Sequence, residues 1–68
     1  MKAGVRNQFG GEIVDIKLGS VMAQVTVRHG DGHIVSVMTR DSVEEAGLKI
    51  GDNVKALFKA IHVVLVKE

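Results

Sequence analysis

The chain has 68 residues, no cysteine, and nine basic against eight acidic residues, for a formal net charge of +1. A single domain of this size buries a smaller share of its surface than a large one, and without cysteine neither a disulfide nor a thiolate zinc site can staple it. Association with further copies of itself is the remaining source of buried area, and a homo-oligomer is expected. The balanced charge and only two aromatic rings, Phe9 and Phe58, argue against a nucleic-acid surface, which needs a basic face and several stacking rings.

The opening MKAGVRNQFGG lacks the apolar centre of a secretory signal, and no apolar run approaches the ~20 residues that span a bilayer. A cytoplasmic location is expected. A first strand is predicted over about residues 9 to 17, with Gly10 and Gly11 marking a bulge or a close backbone approach. LGS at 18 to 20 turns the chain into a second strand, where Val21, Ala23, Val25 and Val27 alternate with mostly polar neighbours. HGDGH then supplies glycines around Asp31 and HIVSVMT resumes strand composition, so residues 21 to 39 read as an antiparallel hairpin.

Between the hairpin and the next strand, Ser42 precedes Glu45 at capping-box spacing and Gly47 stands where a helix would end, which predicts one or two helical turns begun by Ser42. KIGDNV turns into a strand over NVKALFKA, and HVVLVK is predicted as the last strand. Five short strands with a small helix between the third and fourth match an all-β, OB-type barrel, folded from residues 1–68 as one domain.

Few residues suggest chemistry. Arg6 and Asn7 stand just before the first strand, as donors at a barrel mouth or simply as a solvated arm. Thr39 and Ser42 are hydroxyl donors where the short helix begins, either a plain cap or part of an anion site. Lys59 shares a strand face with Lys55 and Leu57, where a solvated lysine is the ordinary reading. His29, Asp31 and His33 surround the hairpin loop at a spacing more typical of exposed turn residues than of a metal site, and His62 is isolated. No nucleophile with a base, no paired carboxylates and no phosphate loop can be found, so neither an enzyme nor a cofactor is expected.

Taken together, VRNQFGGEIVDI, GSVMAQVTV, VMTRDSVEEAGLKIGDNV and ALFKAIHVVL resemble, in order and over nearly the whole chain, the small molybdate-binding domain of the molbindin or Mop family. The resemblance implies an OB-type barrel and a hexamer built from dimers, with molybdate or tungstate held at subunit interfaces for storage and homeostasis. It implies a binding set of Arg6 and Asn7, with Gly4 and Val5 offering backbone, the hydroxyls of Thr39 and Ser42, and Lys59 followed by the backbone of Ala60. Where the family usually has S-A-R-N this chain has Gly4-Val5-Arg6-Asn7, so one hydroxyl is lost. Such a donor set suits a dianion whose oxygens all accept, whereas hydrogen phosphate would bring a proton with no acceptor. The alternative is a sensing or interaction module acting through a transporter or transcription partner, since the same domain occurs fused to such proteins.

Overall fold

The computed structural model describes residues 5–68. Strands β1 (Asn7–Leu18), β2 (Met22–His29), β3 (Gly32–Thr39) and β4 (Asn53–Phe58) form one antiparallel sheet in the order β3-β2-β1-β4. Helix α1 (Arg40–Ala46) joins β3 to β4, and a 3-10 turn, Ala60–His62, follows β4.

The hairpin forms as its alternation predicts, with His29 opposite Gly32 and Gly30 at φ 58° in the tight turn, a conformation open to glycine at little cost. Its core face is Ala23, Val25 and Val27, which are buried with Ile13 of β1 and Val43 of α1. Val21 departs from the expected pattern. It precedes β2 and is 68% exposed, because the ladder with β3 begins only at Met22 opposite Thr39.

β1 serves two partners. Its first half, Asn7 to Glu12, pairs with β4, and its second half pairs with β2 from Glu12 to Leu18. The irregularity in register falls between Ile13 and Asp15, not at the expected Gly10 and Gly11. Gly11 answers the other half of that expectation: a Cβ there would overlap the carbonyl oxygen of Arg28 and press on a Val27 methyl. The missing side chain is what lets β1 lie against β2 as the strand changes partner.

The helix sits where expected but starts earlier and is capped differently. Thr39 is the N-cap and its side chain accepts from the Ser42 backbone N–H at 3.1 Å. Ser42 therefore lies inside the first turn and does not begin the helix, and Glu45 is not its capping partner. A β-region residue with a side-chain oxygen is what the N-cap position requires, and Thr39, at φ −70° and ψ 148°, meets that as the last residue of β3. Gly47 ends the helix at φ 65°, as its position predicts.

The expected five-stranded barrel is not formed. The sheet has four strands, residues 63–68 carry no regular element, and Val64, Leu65 and Val66 are 83–90% exposed. HVVLVK has the β-branched composition of a strand, but a strand exists only through a ladder, and this segment pairs with neither open edge, β3 or β4. The sheet remains a half-barrel, and its open apolar face is a groove of about 790 Å3 lined by Phe9, Val27, Ile34, Leu48, Val54 and Phe58 among others. No helix among the described residues is long and apolar enough to cross a membrane.

Candidate functional site

The register of β1 and β4 brings the early and late candidates together. Asn7 pairs with Phe58, so Arg6 and Lys59 stand one step beyond that pair and Val5 and Ala60 the next. Arg6, Lys59 and Ala60 are exposed, while Val5 and Asn7 are half-buried. Lys59 keeps an extended backbone, at φ −76° and ψ 141°, and Ala60 opens the 3-10 turn that closes through His62 N–H to the Lys59 carbonyl at 2.9 Å. Gln8 fixes the approach to β1 by donating its amide to the Val5 carbonyl at 2.8 Å. Among the described residues no carboxylate pairs with Arg6 or Lys59, so both charges are available to an anion. Gly4 lies outside the described residues.

Thr39 and Ser42 form a second cluster. Their hydroxyl oxygens are 2.7 Å apart, and Thr39 Oγ1 also accepts the Ser42 N–H. One hydroxyl proton is therefore engaged between the two side chains and one remains for an outside acceptor. The surroundings are acidic: Asp41, Glu44 and Glu45 lie on α1, against Arg40 alone. Arg40 holds this corner in place. Its backbone N–H donates to the Val21 carbonyl at 2.7 Å, its Nη1 to the Gly19 carbonyl at 3.3 Å, and its Nε to Glu44 at 2.8 Å.

The two clusters do not meet within one chain. β1 runs from Asn7 to Leu18, and the strand pairings place Arg6, Asn7 and Lys59 at its beginning. Thr39 lies opposite Met22, past the other end of β1 where Leu18 pairs with Ala23, and on the far edge of the sheet. The sequence names both groups of residues but gives no sign that the fold separates them.

Among the contacts that escape the sequence reading are Arg40 with Gly19, Gln8 with Val5, and His29 with β1. The His29 ring donates from Nδ1 to the Gly10 carbonyl at 2.6 Å and stacks on Phe9 with ring centroids 4.9 Å apart. Phe9 in turn meets Phe58 edge to face at 5.4 Å. The signal was present in the strand alternation, which puts His29 on the same sheet face as Val27. Among the described residues no group of three or more His, Cys, Asp or Glu side chains gathers in a metal-holding arrangement.

The comparisons with known proteins agree in direction. The TOBE domain model matches residues 4–65. The chain is 45% identical over its full length to the molybdenum transport protein ModE of Herbaspirillum seropedicae, of which it spans only 26%. It is 38% identical to molybdenum-pterin-binding protein 2 of Clostridium pasteurianum, over 96% of this chain and 97% of that protein. Among solved structures, a molybdate-binding protein from Sporomusa ovata superposes with a TM-score of 0.92 at 34% identity, covering 98% of this chain and 100% of that one. ModG, described as a cytoplasmic molybdate-binding protein, gives 0.82 at 36% identity over 88% of this chain and 43% of its own. The chain belongs to the TOBE-domain family, within its Mop or molbindin branch.

Proposed function

We propose that the chain is a cytoplasmic oxyanion-binding protein that holds molybdate or tungstate between copies of itself, for molybdenum storage and homeostasis, and that it is not an enzyme. The observation that carries this reading is the separation of two donor clusters to opposite ends of β1, in a chain whose relatives are named for molybdenum or molybdate. Arg6 and Lys59 supply positive charge with no carboxylate partner among the described residues, and Asn7 and the Ala60 N–H add neutral donors. The Thr39 and Ser42 pair adds one outward hydroxyl proton beside an acidic helix. An anion joins the basic end of one copy to the hydroxyl end of another, where the basic groups also offset the acidic charge of α1. Residues 1–68 act in this reading as one molybdate-binding domain.

The same assembly covers apolar surface. Val64, Leu65 and Val66 are almost fully exposed, and the groove on the open face is apolar. Covering one with the other between copies removes from water a patch that a monomer rarely shows. The number of copies we propose is six, as three dimers, the arrangement the Mop resemblance implies.

Native mass spectrometry of the protein, titrated with molybdate under excess sulfate, tests the reading. A discrete oligomer that gains molybdate in defined steps, and loses most of them in Arg6→Ala and Lys59→Ala, supports it. An assembly that stays empty or takes up sulfate equally well contradicts it. A molybdenum-pterin ligand belongs in the same titration, because a relative is named for that compound. A second reading, an anion-sensing module acting through a partner, is favoured by the 45% identity to ModE over a quarter of that protein's length.

A further inference from the structure

The basic end of the proposed anion site rests on a part of β1 that the sheet supports on one side only. Residues Asn7 to Gly11 are laddered to β4, while the ladder with β2 stops at Glu12 opposite Arg28. Beyond that point β2 has one residue left, His29, before the Gly30 turn. Its ring does what the missing ladder would have done. Nδ1 donates to the Gly10 carbonyl at 2.6 Å, and the ring lies on Phe9 at 4.9 Å with the planes inclined by 20°. Phe9 passes the contact on to Phe58 at 5.4 Å, and Phe58 is both the partner of Asn7 and the neighbour of Lys59. The His29 side chain therefore touches β1 directly and β4 only through Phe9, at the strand ends that Arg6 and Lys59 adjoin.

We propose that His29 is a positioning residue for this basic end: by bonding the Gly10 carbonyl and stacking on Phe9 it holds β1 and β4 in the relation that aims Arg6 and Lys59 at one anion. The proposal rests on the oxyanion reading above. A carbonyl oxygen only accepts, so the Nδ1 position must carry the proton, and the tautomer is fixed by the bond. His29 touches no part of the proposed ligand set directly, and its effect on binding is exerted through backbone. Arg6 and Lys59 extend from strand ends that the β1–β4 ladder joins, so a small displacement of the β1 end shifts one charge relative to the other, which a multidentate anion site tolerates poorly.

Two variants separate positioning from packing. His29→Asn keeps a donor at the Nδ1 position and loses the ring, and His29→Phe keeps a ring to lie on Phe9 and loses the donor. Molybdate affinity by calorimetry, with thermal midpoint and oligomer mass measured alongside, is compared with the wild type. The proposal expects His29→Phe to weaken binding by about tenfold, the scale of one lost hydrogen bond, with assembly retained. It expects His29→Asn to recover most of that loss. Equal affinity in wild type and His29→Phe overturns it, since a ring without the donor would then suffice, as does equal weakening in both variants, since the donor kept in His29→Asn would then recover nothing. A wild type that does not bind molybdate overturns the oxyanion reading and this inference with it, whereas binding that is merely insensitive to His29 overturns this inference alone.

Discussion

At the scale of single residues, Gly11 and Thr39 show how local demands decide what the chain accepts. The overlap of a Gly11 Cβ with the Arg28 carbonyl involves backbone on both strands, so nothing flexible can move aside. Gly11→Ala is expected to destabilise the fold by about 2 kcal/mol or more, the scale of overpacking in a close-packed interior, read as a lowered midpoint in urea. Thr39 and Ser42 are expected to separate under substitution. Thr39 accepts the capping bond, so Thr39→Ala loses about 1 kcal/mol of stability as well as affinity. Ser42 contributes its backbone N–H to the cap, which Ser42→Ala keeps, so that variant loses molybdate affinity with a smaller change in thermal midpoint. Taken singly, the candidate residues read as solvated or capping groups, and only the resemblance to molbindins gathered them into one set. The order of roles was not legible either: T-x-x-S reads equally as a cap by either residue until β3 is known to extend through Thr39. His29 is exposed, as a histidine beside a Gly-Asp turn is expected to be, and its bond to Gly10 becomes visible only once β1 is known to lie beside the end of β2.

At the scale of elements, alternation made β2 readable, because every second residue faces the buried layer, and β-type composition after the HGDGH turn made β3 readable. The fifth strand was misjudged on the same signal. Composition reports that HVVLVK suits an extended backbone, whereas pairing depends on which edges lie within reach, and in this chain neither open edge takes the segment. The exposed apolar residues are instead assigned to contact between copies. Replacing Val64 and Leu65 together by serine is expected to lower the oligomer mass by native mass spectrometry or sedimentation, and to leave the urea midpoint of the separated chains nearly unchanged. Both residues are already more than four-fifths exposed in a single chain. Unchanged mass would remove the tail from the interface.

For the whole molecule, the decisive feature is that one chain holds its two candidate donor clusters apart. Near-neutral charge overall conceals a basic corner at Arg6 and Lys59 and an acidic one along α1, at opposite ends of the sheet. Composition cannot show that separation, and the resemblance to molbindins implies a site between copies without giving a reason for it. The reason is topological: β1 is shared between β4 at its start and β2 at its end, so residues anchored to β4 and residues that follow β3 are held apart. A free-standing store and a sensing module differ here only in what the assembled copies contact.

The central claim, that one anion is held by two chains, is tested by complementation. Lys59→Ala weakens the basic contribution and Thr39→Val the hydroxyl contribution, and each variant alone is expected to lose about tenfold or more in molybdate affinity, the scale of a charge-assisted hydrogen bond for the lysine. Co-expressed with distinct tags and purified as mixed assemblies, the two variants bring an intact Lys59 from one chain to an intact Thr39 from the other. Calorimetry of the mixed assembly is then expected to show a fraction of sites at wild-type affinity. A mixture in which every site stays as weak as in the separate variants would place both residues of each site on one chain, and would contradict the account.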